Sequence, residues 1–210
     1  MVDIKLILLI FFSSIVGIAL AQDKSSADSL LNDLELEEPK QELLPDRIFI
    51  TQKLFWGKKG LLRVTGIAPL TAENRETEMK IRRTMLKLHQ VGGFVTLAGM
   101  IAQGFVGAQL YNHPSAQLRD RHENLASFIN ISYTTTALLS FTAPPPLVNR
   151  KGMSSIKIHK GLAMVHLTGM IVTNILASQI YSHPELKPYH RAAAYTTFAA
   201  FATAMIVIKF

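Results

Sequence analysis

The chain has 210 residues, 49% of them hydrophobic and only 18% charged, and its 22 Lys and Arg against 15 Asp and Glu give a formal charge of +7. So apolar a balance points to a membrane rather than a soluble domain. The absence of cysteine excludes disulfides, iron–sulfur clusters, thiolate zinc sites, cysteine nucleophiles and the Cys-x-x-Cys-His attachment of c-type haem. The positive charge does not indicate nucleic acid. It lies in short clusters beside apolar runs (Lys80, Arg82, Arg83 and Lys87; Arg150, Lys151, Lys157 and Lys160), with no basic stretch interleaved with stacking aromatics.

Residues 1 to 21 carry Lys5, an apolar run from Leu6 to Leu20 and an Ala-Leu-Ala ending before Gln22, the pattern of a cleavable signal peptide. Residues 22 to 46 read as a flexible acidic tether (Asp28, Asp33, Glu35, Glu37, Glu38), too poor in apolar side chains to order itself. Residues 47 to 83 form a juxtamembrane segment: Ile48, Ile50, Leu54, Phe55 and Trp56 precede Gly57-Lys-Lys-Gly60 and Leu61-Leu-Arg-Val64, a pattern suited to lie on the membrane surface or to cap a bundle. After a break at Pro69 to Asn74, the run through Glu76, Glu78 and Arg83 suits a helix continuing into the membrane.

Four apolar segments follow, at about 86 to 111, 123 to 142, 157 to 181 and 190 to 209. Each approaches the roughly 20 residues that cross a hydrocarbon core of about 30 Å. His113-Pro114, Pro144-Pro145-Pro146 and His183-Pro184 with Pro188 separate them, because proline lacks a donor and restrains the residue before it. Tyr111, Tyr181 and Tyr189 stand at segment ends, where amphipathic rings favour the interface. The expected fold is an all-α membrane protein, a four-helix transmembrane bundle over residues 84 to 210.

An internal repeat organises that bundle. At an offset of 70 the first and third segments match His89 with His159, Gly99-Met-Ile with Gly169-Met-Ile, Gln109 with Gln179, Tyr111 with Tyr181 and His113-Pro with His183-Pro. The second and fourth match at 68, pairing His122 with His190, Ala126 with Ala194 and Thr135 with Thr203. Two copies of a helical hairpin enter from the same side, related by a pseudo-two-fold axis along the membrane normal, so equivalent residues face each other across it. First and third helices become diagonal partners, as do second and fourth.

The repeat therefore expects two histidine pairs, His89 with His159 near one membrane face and His122 with His190 near the other. Two imidazoles facing across a central axis suit the axial positions of a haem iron, and with no cysteine the group expected is haem b, two per chain. Small and polar residues continue the stripe below the first pair: Gly93, Thr96, Met100, Gln103 and Gly107 below His89, and Ala163, His166, Met170, Thr173 and Ala177 below His159. Small side chains leave room for a flat macrocycle and for close helix approach. His166 has Thr96 as its repeat mate, so a hydrogen-bonding role near the cofactor is expected of it rather than ligation. Arg82, Arg83, Lys87 and Lys160 at one end, and Arg121 and Arg191 at the other, are candidate partners for propionates or ordinary flanking charges. His113 and His183 also repeat at 70. They are disfavoured as the second pair because each lies 24 residues beyond His89 or His159, about 36 Å along a helix, and abuts a proline.

Leu88-His89-Gln with Gly92-Gly93, His122-Glu-Asn-Leu125, Ile158-His159-Lys-Gly161-Leu162 and His190-Arg-Ala-Ala resemble the four core helices of the cytochrome b561 family. The resemblance covers about residues 84 to 209 and rests on the order and spacing of the four histidines. It implies two b-type haems bound by alternate helices and electron transfer across the bilayer, with quinol or a redox protein as donor and an unidentified acceptor. The chain is shorter than the six-span members. Gln109-Leu-Tyr-Asn-His113 lacks the basic and aromatic loop residues associated with ascorbate, so the compact bacterial relatives are the nearer likeness, in an inner membrane. The signal peptide puts residues 22 to 83 on the periplasmic side. Against this, eight basic residues flank the spans there (Lys80, Arg82, Arg83, Lys87, Arg150, Lys151, Lys157, Lys160) and five opposite (Arg119, Arg121, Lys187, Arg191, Lys209). Two other readings stay open: a cofactor-free membrane anchor or assembly protein, and a histidine-lined metal-ion carrier. Lipid is an expected partner in each, and self-association is left open.

Overall fold

The computed structural model describes residues 42–148 and 152–209. The expected signal peptide, and the tether up to residue 41, lie outside the described residues. All regular structure among the described residues is helical. From Leu43 onward the chain forms one compact unit, with two short helices, α1 (Ile50–Trp56) and α2 (Leu61–Val64), followed by four long ones: α3 (Ala72–Asn112), α4 (Ala116–Thr142), α5 (Ser155–Gln179) and α6 (Lys187–Lys209).

The long helices start and stop on local chemistry. Thr71 Oγ1 accepts from the backbone N–H of Asn74 at 3.3 Å to open α3, and Ser115 Oγ accepts from that of Leu118 at 3.2 Å to open α4. The first helix has 41 residues and is about 60 Å long, so it starts well before the apolar segment near residue 86. Helix α4 begins at Ala116 rather than near residue 123, which places His122 inside the helix and not at its first turn. Helix α5 closes at Gln179, and a 3₁₀ turn at Pro184–Leu186 leads into α6.

Three of these stretches are long and apolar enough to cross a membrane: Ala72–Asn112, Ser155–Gln179 and Pro184–Ile208. This is an integral membrane protein by that measure, with lipid against its apolar faces. Helix α4 has the length, at 27 residues, but its hydroxyl and amide side chains (Asn124, Ser127, Asn130, Ser132, Thr134 to Thr136, Ser140) make it less apolar than its neighbours.

Helices α3 and α4 pack together, as do α5 and α6, giving the two hairpins of the repeat. Equivalent glycines set both contacts. A methyl group on Gly99 would press on Ile129 at 3.0 Å, and one on Gly169 would collide with Thr197, the repeat mate of Ile129. Between hairpins, α3 meets α6 where Gly93 lies against Met205. The core comprises Ile129, Tyr133, Met170 and Phe201, flanked by Leu97, Met100 and Leu167. Tyr133 with Phe201, Met100 with Met170 and Leu97 with Leu167 are repeat mates, so this core is built around the symmetry axis.

Residues between Thr51 and Arg82 cap the C-terminal end of α4. That end has carbonyls without intrahelical partners, and Pro144, Pro145 and Pro146 bring no donors to replace them. Thr51 Oγ1 donates to Phe141 O (2.8 Å), Gln52 Nε2 to Ala143 O (3.0 Å) and Trp56 Nε1 to Thr142 O (2.8 Å). Arg75 reaches Pro145 O (3.0 Å) and Pro146 O (3.3 Å), and Arg82 reaches Pro144 O (2.6 Å). Glu78 is 2% exposed and ion-paired to both Arg63 and Arg75.

Candidate functional site

Each long helix carries two rungs 14 positions apart, His89 and Gln103 on α3, Thr136 and His122 on α4, His159 and Thr173 on α5, Ala204 and His190 on α6. Fourteen residues make almost four whole turns and about 21 Å of rise, so both rungs fall on one face of each helix.

At the first rung His89 and His159 stand with ring centroids 6.2 Å apart and planes at 85°. Each ring is fixed by the helix hairpinned to its own: His89 Nδ1 pairs with Thr136 O at 2.8 Å and His159 Nδ1 with Ala204 O at 2.9 Å. Thr136 and Ala204 are repeat mates, so the two bonds are one bond made twice. A carbonyl can only accept, which puts the proton on Nδ1 and leaves Nε2 as the lone-pair nitrogen. Gly92 permits the arrangement, because a methyl group there would collide with Thr136 Oγ1.

At the second rung His122 and His190 stand 6.3 Å apart with planes at 73°. His190 Nδ1 pairs with Thr173 O at 3.0 Å. By symmetry His122 Nδ1 would pair with the carbonyl of Gln103, but here the Gln103 side chain intervenes, with Nε2 3.2 Å from His122 Nε2 and 3.1 Å from His122 O. His122 Nδ1 and Gln103 Oε1 are left buried without partners. Native interiors seldom tolerate such groups, and they concentrate where a ligand, ion or water belongs. A methyl group on Gly107 would lie 3.0 Å from His122 Cε1, so glycine is what admits this ring.

These separations have a chemical reading. A metal–imidazole bond is about 2 Å, and two such bonds in line, with the distance from each nitrogen to its ring centre added, come to about 6 Å. Each pair is spaced for one metal between two imidazoles. Among the described residues no three or more His, Asp or Glu converge, so neither histidine pair has a third such side chain beside it. Gly93, Thr96 and Gly99 are buried on α3 between the rungs, and His166 and Met170 on α5.

His166 stands between the rungs, its Nδ1 2.8 Å from Tyr133 Oη. Tyr133 carried no signal of its own, since its repeat mate is Phe201. His113 is exposed at the end of α3, and His183 is exposed and paired with Glu185 at 3.0 Å. Of the candidate propionate partners, Lys160 has its Nζ 4.5 Å from the centre of the Phe49 ring, and Arg191 lies over Tyr111 and Tyr195 at 4.7 and 5.5 Å. Arg82 is committed to Pro144 O, while Arg83, Lys87 and Arg121 are exposed. Known proteins give no further guide: no family model, no curated protein and no solved structure matches the chain.

Proposed function

We propose that this chain crosses the membrane four times and transfers electrons between its faces through two b-type haems, one held by His89 and His159 and one by His122 and His190, as in cytochromes of the b561 kind. The observation that carries this reading is the matched pair of imidazole separations, 6.2 and 6.3 Å, on two rungs of symmetry-related helices. Each imidazole pair would supply two of the six ligands of an octahedral metal and leave four to come from elsewhere. With only two ligating side chains per site among the described residues, a macrocycle is the economical source of the other four, which favours haem over a bare metal ion in transit.

Hairpin geometry supports the four-span topology. Helix α4 packs along α3, and its hydroxyls are largely turned back on its own carbonyls: Ser127 to Glu123 O (3.0 Å), Ser140 to Ala137 O (3.0 Å) and Thr142 to Leu138 O (2.7 Å). Polar side chains satisfied in this way cost little in hydrocarbon. The signal-peptide reading sets residues 22 to 83 on the periplasmic side of a bacterial inner membrane, beside the first site.

When bound, haem b supplies a reversible one-electron couple, and two of them make a path across the bilayer. The protein's part is to hold and tune. Carbonyl acceptors at Thr136, Ala204 and Thr173 orient the imidazoles, and the aromatic and methionine core between the rungs excludes water. A quinol in the bilayer or a redox protein at a membrane face is the class of partner that fits a one-electron carrier. A reduced-minus-oxidised spectrum tests the reading: a b-type α-band is expected from the purified protein and is lost in the double His89→Ala, His122→Ala variant. A band that survives there sinks the ligand assignment.

A further inference from the structure

Tyr133 and His166 are buried, 6% and 8% exposed, and joined by a 2.8 Å hydrogen bond. Phe201 packs on both, with ring centres 6.0 Å from Tyr133 and 5.0 Å from His166. Repeat symmetry makes this contact informative. Tyr133 occupies the place that Phe201 takes in the second hairpin, and His166 the place that Thr96 takes in the first. A core otherwise built from matched pairs thus holds Tyr–His on one side of its axis and Phe–Thr on the other.

The polar pair is also off-centre along the bundle. Tyr133 is three positions from Thr136, whose carbonyl holds His89, and eleven from His122. In rise that is about 4.5 Å from the first rung and about 16 Å from the second. His166 lies halfway between the rungs on α5. If the tyrosine hydroxyl donates to Nδ1, the imidazole proton sits on Nε2, which has no protein partner among the described residues. The pair is therefore anchored nearer the first site on α4, and the imidazoles whose charges reach His166 are those of His159 and His89.

We infer that Tyr133 and His166 form a positioning pair that makes the two redox sites unequal, raising the potential of the site at His89 and His159 relative to that at His122 and His190. This rests on the two-haem reading. An N–H dipole beside a redox centre stabilises its reduced, more negative state, as hydrogen bonding and local polarity do generally in tuning such centres. The asymmetry biases an electron within the protein toward the first site.

The repeat itself supplies the test variants. Tyr133→Phe and His166→Thr each install the side chain that the other half of the molecule already uses, and Tyr133→Phe removes only one hydroxyl. In a spectroelectrochemical titration, the two components are assigned by which one His89→Ala abolishes and which one His122→Ala abolishes. In both symmetrising variants the midpoint of the first component is expected to fall while the second stays, narrowing the gap; His166→Gln, which retains an N–H, stays close to wild type. Components that move together, or that do not move, overturn the inference while leaving the two-haem reading intact. A wild-type protein without a b-type band overturns both.

Discussion

The two ends of the bundle hold the same pair of residues in different states of readiness. At the His89 and His159 end both Nδ1 atoms are tied to carbonyls, and the capping segment with its buried Arg63, Glu78 and Arg75 braces the adjoining end of α4. At the His122 and His190 end only His190 is tied, His122 Nδ1 and Gln103 Oε1 are orphaned, and the neighbouring loops carry exposed His113 and His183. A site whose ligands are already locked loses little freedom on binding, whereas one with loose ligands must order them. One sequence pattern used twice thus gives a locked histidine pair and a looser one.

The largest effect expected is from the ligands themselves. On the proposed two-haem reading, His89→Ala is expected to lower bound haem from two per chain to one and to leave the second component, and His122→Ala to do the reverse; a haemochrome assay on purified protein reads both. Loss of both groups in either single variant would mean that the sites are not separate.

Next in size is the brace. Glu78→Ala leaves Arg63 and Arg75 buried without their shared carboxylate, which costs about 3–5 kcal/mol. Thermal unfolding of the detergent-solubilised protein should fall accordingly, and the first site should release its haem before the second. Equal release from both ends would show that the brace serves the whole bundle rather than one end.

Gly92→Ala acts more locally. The added methyl collides with Thr136 Oγ1, and overpacking of this kind costs about 1–3 kcal/mol. Because the Thr136 carbonyl orients His89, the loss should appear as weaker haem retention at the first site alone. The smallest effect is expected at the other end. Gln103→Leu removes an unpartnered oxygen and frees His122 Nε2, and tighter retention at the second site, by about 1 kcal/mol, is the outcome to look for in a haem-transfer assay. Weaker retention would mean that Gln103 holds His122 in place.

How far these features could be read from sequence depends on whether symmetry transmits them. A shared offset alone does not bring two histidines together, since His113 and His183 share one and stand exposed at helix ends; it was the offset together with a place on the inner faces of the spans that made the meeting of His89 with His159 and of His122 with His190 legible in the sequence. The Thr136 and Ala204 acceptors were not, because a backbone carbonyl leaves no mark in side-chain identity. Tyr133 was hidden by having Phe201 as its mate, and the amide pair Asn130–Asn174, bonded at 2.8 and 3.1 Å between α4 and α5, by having Phe198 and Gly104. The basic cluster near residue 80 suggested flanking charge, yet Arg82 serves a proline carbonyl 62 residues away. Contacts of that range depend on how the chain folds back on itself, and local patterning does not encode it. Helix α4 starts earlier than hydropathy suggested, because Ser115 caps it outside the apolar stretch, whereas the start of α3 after Thr71 agrees with the helical run read through Glu76, Glu78 and Arg83.

The central claim is that each histidine pair holds one haem b. Quantitative reduced-minus-oxidised spectroscopy on the purified wild-type chain, with haem and protein measured in the same sample, tests it most directly. Two b-type haems per chain, resolving into two components on titration, is the predicted result. A preparation expressed with ample haem that shows no b-type α-band, or only one haem per chain, would contradict it.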